Sequence, residues 1–517
     1  RRGKSDGRVV PAKQPNKGGS NPLADDVEGG RPAKENALQT AASRVQDRGC
    51  AMNALWRVRE AAIREKEMRF TSLLHHVDEV LLRDAYLALN RDATPGVDGV
   101  TWQEYGEGLE ERLRNLKDRV HGGTYRAEPS KRTFIPKADG RMRPLGIASL
   151  EDKIVQHAVV TVLNQIYEVD FQGFSYGMRP GRNQHQALDA LWVAFMEKKN
   201  VNWVFDADIR GFFDAIDQGW MMKFLEHRIA DRRILRLIQK WLRAGVSEDG
   251  KWSKTTVGTP QGAVISPLLG NVYLHYALDL WIENWRHKRA EGDVAVVRFA
   301  DDFVVGLERR LDAERFRRDL RERLKKFGLE LHPEKTRLIE FGRFADVNRQ
   351  RRGEGKPETF AFLGFTHSCT RYSKSPRGII RRKTIQKRLV SKLHEVKKEL
   401  RKRRHQPIPI QGKWLGRVVQ GYFNYHAVPT NYASLAQFRR ESARHWFRSL
   451  RRRSQKARRR MNWKKFYPIM DRWLPRARVT HSYPNVRFYR QHPRQEPYAR
   501  NGPVRLWGAP HNRTYGE

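Results

Sequence analysis

An α+β fold is what this chain of 517 residues predicts, and three observations predict it. Between about 130 and 365, short β-rich runs alternate with helical segments. Beyond about 370 the composition turns to basic helices. Between the apolar runs Val294-Ala295-Val296-Val297 and Phe303-Val304-Val305-Gly306 stands Phe299-Ala300-Asp301-Asp302, which reads as strand, tight turn, strand. That hairpin would carry two adjacent carboxylates at its tip. Asp suits turns for local hydrogen-bonding reasons alone, so the pair gains meaning only from the rest of the chain.

Residues 1 to about 50 are rich in Gly, Pro, Lys, Arg, Asn and Ser and are expected to form a disordered basic arm. The chain opens on Arg1 rather than Met, so its natural start is expected further upstream. From about 52 to 125 Leu73, Leu74, Val77, Val80, Leu81 and Leu87 follow a helical pattern, broken by the turn-rich Thr94-Pro95-Gly96-Val97-Asp98-Gly99. Strands are predicted at 132–136, 203–209, 294–299, 302–306 and 359–365, and helices at 150–168, 184–198, 219–243, 266–287 and 311–327. Ile385, Leu389, Leu393, Val396 and Leu400 then fall at helical spacing, surrounded by Arg381, Arg382, Lys383, Lys387, Arg388, Lys392, Lys397, Lys398 and the run Arg401, Lys402, Arg403, Arg404. One face is expected to be core and the other a rail for phosphates. Between Ser442 and Met470 there is no acidic residue, while Arg444, Arg448, Arg451, Arg452, Arg453, Lys456 and Arg458 to Arg460 accumulate around Trp446, Phe447 and Trp463. The stretch from about 480 to 517, rich in Pro, Arg and Tyr, is expected to be irregular. The expected divisions are an arm at 1–50, an N-terminal extension at 51–130, a mixed domain at 131–370, a basic helical domain at 371–480 and a tail at 481–517.

Lys plus Arg number 101 against 58 Asp plus Glu, a formal net charge of +43. Solvated surfaces usually interleave both signs, so this excess implies a polyanionic partner, nucleic acid before lipid. The 14 Trp, 16 Tyr and 23 Phe offer flat faces for bases, although most will be core. No long apolar stretch or signal peptide is visible, which argues against a membrane protein. Two cysteines, Cys50 and Cys369, rule out a disulfide framework and any zinc site built on paired cysteines.

Phe205-Asp206-Ala207-Asp208-Ile209-Arg210-Gly211-Phe212-Phe213-Asp214 reads as a strand ending in a turn, with a carboxylate where a strand should be apolar. Polymerases join nucleotides with two Mg²⁺ ions about 4 Å apart, held by few protein carboxylates plus substrate phosphates. A strand-end Asp facing a hairpin Asp-Asp would supply that set. Two carboxylates about 5 Å apart repel by roughly 3 kcal/mol at an effective dielectric near 20, so such a cluster makes sense mainly around cations. Between these elements the Gly-rich turn Gly258-Thr259-Pro260-Gln261-Gly262 runs into a helix and lets bare backbone approach a nucleotide or template. Upstream, Lys137 and Arg143 sit on an expected hairpin, where they could clamp a triphosphate.

In this order the segments resemble the reverse transcriptases, specifically the group II intron-encoded reverse transcriptase/maturases, from about 70 to about 480. The resemblance rests on Pro-Gly-Val-Asp-Gly (95–99), Arg-Pro-Leu-Gly-Ile (143–147), Asp-Ile-x-Gly-Phe-Phe-Asp (208–214), Gly-Thr-Pro-Gln-Gly (258–262), Phe-Ala-Asp-Asp (299–302), His332-Pro333-Glu334-Lys335-Thr336 and Phe362-Leu363-Gly364-Phe365. It implies a right-hand polymerase fold, fingers and a palm with an antiparallel sheet, followed by a helical thumb and maturase domain. Asp208, Asp301 and Asp302 match the family's catalytic metal-binding triad for two Mg²⁺ ions. Lys137 and Arg143 match its triphosphate contacts, Gln261 and Gly262 its nucleotide and template contact, and Lys335 the basic residue near the leaving group. Phe213 matches the steric gate that favours dNTPs, and Phe362, Leu363, Gly364 and Phe365 match the primer grip. The family usually has Tyr where this chain has Phe299, which keeps the ring and loses the hydroxyl.

Trp414-Leu415-Gly416-Arg417 and Gly421-Tyr422-Phe423-Asn424-Tyr425-His426 resemble, more loosely, the family's maturase domain, which grips its own intron RNA. Arg401, Lys402, Arg403, Arg404, Arg451, Arg452 and Arg453 are the expected RNA contacts. The implied partners are structured intron RNA, an RNA template/DNA primer duplex, target DNA and dNTPs, with no membrane. The implied setting is cytoplasmic, bacterial and nucleoprotein-associated, with an organellar one left open. The HNH endonuclease that often ends such proteins needs cysteine pairs, so none is expected here. A retron-like or defence-type enzyme acting on a separate RNA is the alternative, and the long basic region from 370 to 480 discriminates against it. A splicing factor that had lost polymerisation would be expected to have degenerate carboxylates, whereas all three are present.

Overall fold

The computed structural model describes residues 52–136, 142–198, 200–248, 251–253, 258–259, 262–372 and 375–491. The chain divides into two units, Arg1–Cys50 and Ala51–Glu517, and all of the described residues belong to the second. The arm expected at 1–50, the end of the tail from 492, and Lys137 and Gln261 lie outside the described residues.

Four helices open the second unit: α1 (52–64), α2 (Glu79–Ala88), α3 (Trp102–Gly106) and α4 (Leu109–His121). Asp78 caps α2 by accepting from the Leu81 amide at 2.8 Å, and Thr101 with Glu104 forms a capping box on α3. The strands β1 (Ser130–Pro136) and β2 (Met142–Ile147) pair antiparallel and lead into the long α5 (Leu150–Asp170). Next come α6 (Gln184–Val193), which runs on into a π turn at Ala194–Lys198, β3 (Trp203–Ala207) and the short α7 (Phe212–Ala215).

The single helix predicted over 219–243 is two, α8 (Gln218–Glu226) and α9 (Arg232–Arg243). The break is tertiary in origin. Phe70 bonds Arg228 and Ala230 through the backbone at 2.8 Å each, and Asp231 accepts from the Leu73 and Leu74 amides at 2.8 and 3.0 Å. Strands β4 (Val246–Glu248) and β5 (Lys251–Ser253) then complete a sheet of order β2-β1-β4-β5, in which β1 and β4 run parallel. The helix predicted over 266–287 is α10 (Ser266–Leu274) and α11 (Leu280–Lys288), joined by a π turn at His275–Asp279.

The central sheet has order β6-β7-β3-β8 and is antiparallel throughout, with β6 (Val294–Phe299), β7 (Asp302–Leu307) and, after α12 (Arg310–Lys325), β8 (Arg337–Glu340). Its faces alternate residue by residue. Phe205, Val296, Phe303 and Val305 join the large core with α5, α10 and α12. Val204, Val297, Val304 and Ile339 join a second core with α6. Asp206, Asp208 and Asp302 therefore belong to the second face, at its end.

Past α13 (Ala345–Arg351), the strand predicted at 359–365 is a hairpin, β9 (Phe360–Phe362) turning at Leu363-Gly364 into β10 (Phe365–Tyr372). The strand β11 (Ser375–Thr384) pairs with β10. Strand therefore continues well past 370, where basic helices were expected. Arg381, Arg382 and Lys383 are on β11, and Arg382 is buried. Helices resume as α14 (Gln386–Lys402), α15 (Ile408–His426), α16 (Tyr432–Arg451), α17 (Gln455–Arg460) and α18 (Trp463–Trp473). Leu389, Leu393, Val396 and Leu400 point into their shared core, as their spacing predicts, and Trp446 and Phe447 are core as well rather than stacking faces. A last helix, α19 (Pro484–Gln491), lies in the stretch expected to be irregular and packs on α6. Among the described residues no helix is long and apolar enough to cross a membrane.

Candidate active site

The tip of the β6–β7 hairpin pairs Phe299 with Asp302 and turns through Ala300 in the left-handed region, at φ 56°. A side chain seldom adopts that conformation without support. The support is Arg298, fully buried one strand position before Phe299. Its guanidinium donates to both carboxylate oxygens of buried Asp279 at 2.7 and 2.6 Å, to Asn271 Oδ1 at 3.0 Å, to Ser175 Oγ at 2.7 Å and to the Ala300 carbonyl at 2.9 Å. All five donors are used, the condition under which a buried charge is tolerated. Asn271 also donates to the Gly177 carbonyl at 2.9 Å. A Cβ on Gly177 would lie 2.1 Å from the Ala300 amide nitrogen, so only glycine lets this loop close on the turn.

Asp208 follows the last residue of β3. Its carbonyl accepts from the His332 amide at 2.8 Å, which fixes the 332–336 loop beside it, and Lys335 Nζ donates to the Asp208 carboxylate. Asp206, two residues back on the same face, pairs with Arg337 of β8 at 3.4 Å. The electrostatics show one crowded cluster. Asp302 opens to solvent at the hairpin tip, yet protein on its other sides desolvates it, and with repulsion from Asp301, Asp208 and Asp206 this pushes its carboxyl up to about 7. Burial also raises Asp301, with Asp208 adding to the rise and Arg143 and Arg298 opposing it. Asp206 is pushed up to about 6, mainly by burial and against the pull of Arg337. Among the described residues no group of three or more His, Cys, Asp or Glu side chains is arranged to hold a metal ion by itself. The donors are nonetheless hard oxygen atoms of the kind Mg²⁺ takes, and such sites are completed by substrate phosphates and water.

Of the other sequence-predicted residues, Arg143 is exposed on β2 and its charge reaches Asp301. Gly262, at φ 111°, lies against β2, and a Cβ there would meet the Gly146 carbonyl at 2.7 Å. Phe213 packs its ring at a tilt against Phe212, with centroids 5.1 Å apart, and against Gly270, while its carbonyl accepts from the Thr259 amide at 2.9 Å. The Leu363-Gly364 turn is held by α15, whose Tyr425 hydroxyl donates to the Leu363 carbonyl at 2.7 Å. Phe362 and Phe365 share the second core with Phe299.

The basic residues divide. Arg401, Lys402 and Arg452 are exposed, Lys402 with Glu399 3.7 Å away, whereas Arg403 pairs with the same Glu399 at 2.8 Å and lies over the Trp414 ring. Arg451 lies over Phe447, Arg404 is only half-exposed, and Arg453 donates to the Gln406 carbonyl, which brings the ends of α14 and α16 together. Arg382 is no phosphate rail. It shares buried Asp189 with Arg487 of α19, tying β11, α6 and α19 together. Sequence reasoning missed Arg298, Asp279, Asn271 and Gly177. The available signal was a lone arginine inside an otherwise apolar strand.

Residues 135–367 match the family described as reverse transcriptase (RNA-dependent DNA polymerase). Protein YkfC of Escherichia coli (strain K12) is 36% identical over 242 residues, 41% of this chain and 63% of that protein. The group II intron-encoded protein LtrA of Lactococcus lactis subsp. cremoris is 40% identical over 167 residues, 32% of this chain and 27% of that protein. Nuclear intron maturase 1, mitochondrial, of Arabidopsis thaliana is 24% identical over 141 residues, 27% of this chain and 18% of that protein. The matched stretches span less than two thirds of each of these relatives. Together with the motif order and the carboxylate cluster, these matches support a group II intron-encoded reverse transcriptase/maturase, the reverse transcriptase family match covering residues 135–367.

Proposed function

We propose that the protein is an RNA-directed DNA polymerase that binds its own group II intron RNA, assists its splicing and copies it into cDNA. In this reading the β2-β1-β4-β5 sheet belongs to the fingers, the central sheet is the palm and α14 to α18 form the thumb and maturase domain. The observation that carries the reading is the crowding of Asp206, Asp208, Asp301 and Asp302 at one sheet end, with Asp302 raised to about 7. Asp208, Asp301 and Asp302 would hold two Mg²⁺ ions. When bound, these supply activation of the primer 3′-hydroxyl and stabilisation of the leaving pyrophosphate.

The chain's own residues do the rest. Arg143 and Lys137 orient the triphosphate. Phe213 closes the space a ribose 2′-hydroxyl would need, which favours dNTPs over rNTPs. Lys335, already on Asp208, stands where leaving-group charge develops. The exposed Arg401, Lys402 and Arg452 supply non-specific phosphate contacts to the RNA. Primer extension on poly(rA)/oligo(dT) tests the polymerase reading. Mg²⁺-dependent incorporation of dTTP, abolished by EDTA, is expected, and no incorporation by folded protein would overturn it. Sequencing the RNA that co-purifies from the native host tests the intron reading. A large structured transcript containing this reading frame is expected, and a short, separately encoded RNA would overturn it.

A further inference from the structure

We infer a second phosphate-binding site, on the flank of the central sheet, that takes the phosphodiester backbone of a nucleic-acid strand. It is the cleft of about 650 Å³ between α12 and the loop leading to β8, lined among others by Arg317, Arg321, Lys325, Glu330, His332 and Thr336. The inference rests on nucleic acid being the partner but not on the polymerase chemistry.

Positions 317, 321 and 325 form one ridge of α12, so three exposed cations stand in a row about 12 Å long. A basic helix face is usually just solvated, but the rest of α12 is handled differently. Arg310 pairs with Glu314 at 2.8 Å, Arg315 with Glu291 at 3.8 Å and Arg318 with Asp319 at 3.5 Å, while Arg323 donates to the Tyr276 and Ala277 carbonyls. Among the described residues no ion pair joins Arg317, Arg321 or Lys325 to a carboxylate. The acid in the cleft, Glu330, pairs with Arg210 at 3.5 Å. Charge is balanced on the other sides of the helix and left cationic on this one.

The loop wall supplies the second observation. His332 Nδ1 and Thr336 Oγ1 are both shielded from solvent and make no hydrogen bond. Shielded polar atoms are normally satisfied, so a missing partner is the ordinary explanation. Both residues line the cleft, so turning the hydroxyl and the ring toward it would give each a phosphate oxygen to donate to, and the three cations neutralise that phosphate. A metal ion would be repelled by the same row. The length of the row favours a strand over a lone anion, because about 12 Å spans three to four phosphates rising about 3.4 Å each.

The cleft is distinct from the carboxylate cluster. The helix α12 covers the Phe205 side of the sheet, with Phe205 and Phe316 ring centroids 5.7 Å apart, whereas Asp206, Asp208 and Asp302 end the opposite side. The His332 amide, bonded to the Asp208 carbonyl at 2.8 Å, makes one loop the wall of both.

The test is the full chain carrying Arg317→Gln, Arg321→Gln and Lys325→Gln together, compared with the wild type by thermal unfolding and by binding to a 20-base-pair RNA hairpin across a salt series. The unfolding temperature should be unchanged, and affinity should fall about tenfold with the log–log salt slope shallower by about two. Wild-type affinity and slope in the variant would overturn the inference. Stabilisation of the wild type by inorganic phosphate as strong as by the hairpin, and lost in the variant, would overturn the strand and leave a free-anion site. Failure of both proteins in primer extension would overturn the polymerase reading alone and leave this comparison standing.

Discussion

The carboxylate end of the central sheet and the helical region after it carry opposite charge imbalances, and they carry them differently. At the sheet end four carboxylates converge on one face and around one turn, and Lys335 and Arg337 only partly answer them. In the helical region, Ser442 to Met470 contains no acidic residue at all, and its cations are spread over several helix ends. A dense, small cluster suits small ions of high charge whose remaining ligands are substrate phosphates and water. A dispersed one calls for an extended polyanion. The buried ion pairs sharpen the contrast. Arg298 ties the acidic turn to Asp279, Asn271 and Ser175, whereas Arg382 and Arg487 share Asp189 to join β11, α6 and α19.

If the two imbalances serve separate partners, they should break separately. The largest effect is expected from Asp301→Ala. cDNA synthesis should fall by roughly a thousandfold or more, the scale of several kcal/mol of lost charge stabilisation, while RNA affinity stays within about twofold of wild type. Parallel primer extension and filter binding check this, and weak RNA binding by a folded variant would count against separate roles. Arg298→Met comes next. Removing one partner of a buried pair costs about 3–5 kcal/mol, so calorimetry should show a marked loss of stability, and Arg298→Met/Asp279→Leu should recover part of it. The double variant should remain a poor polymerase, because it does not restore the Arg298 bond to the Ala300 carbonyl.

A smaller effect belongs to the basic side. Neutralising Arg401, Lys402 and Arg452 with Gln should weaken RNA binding about tenfold, from a wild-type log–log salt slope on the order of −6, and leave the dTTP KM unchanged. A flat salt dependence of the wild type would break the comparison outright. The smallest effect is a pH dependence. With Asp302 raised to about 7 from its ordinary 3.8, the folded metal-free protein holds a proton the unfolded chain has released. Stability from that group is therefore full below about 4 and is lost as pH rises through about 7. Mg²⁺ competes with the same proton, so its stabilisation in thermal unfolding should be larger at pH 8 than at pH 5.5.

The acidic turn was legible because its signal is local: two apolar runs, a short gap and two aspartates between Val294 and Gly306. The strands at 203, 294 and 302 and the buried stripe of α14 were legible for the same reason, since period 2 and period 3.6 show in a short window. What stayed hidden depends on distant partners. The break between α8 and α9 exists because Phe70 inserts its backbone there, and periodicity alone carries straight across it. The strand β11 reads as basic surface until Asp189 and Arg487 are seen to bury Arg382. Arg298 looks like an interruption of β6, and only the fold brings Asp279, Asn271 and Ser175 around it.

The central claim is that residues about 90 positions apart form a single divalent-cation centre, and iron-directed cleavage of the chain tests it most directly without relying on activity. Fe²⁺ substituted for Mg²⁺, with ascorbate and peroxide, should cut the backbone near Asp208 and near Asp301 and Asp302, and excess Mg²⁺ should suppress both cuts together. Cuts confined to one of the two segments, or insensitive to Mg²⁺, would contradict the account.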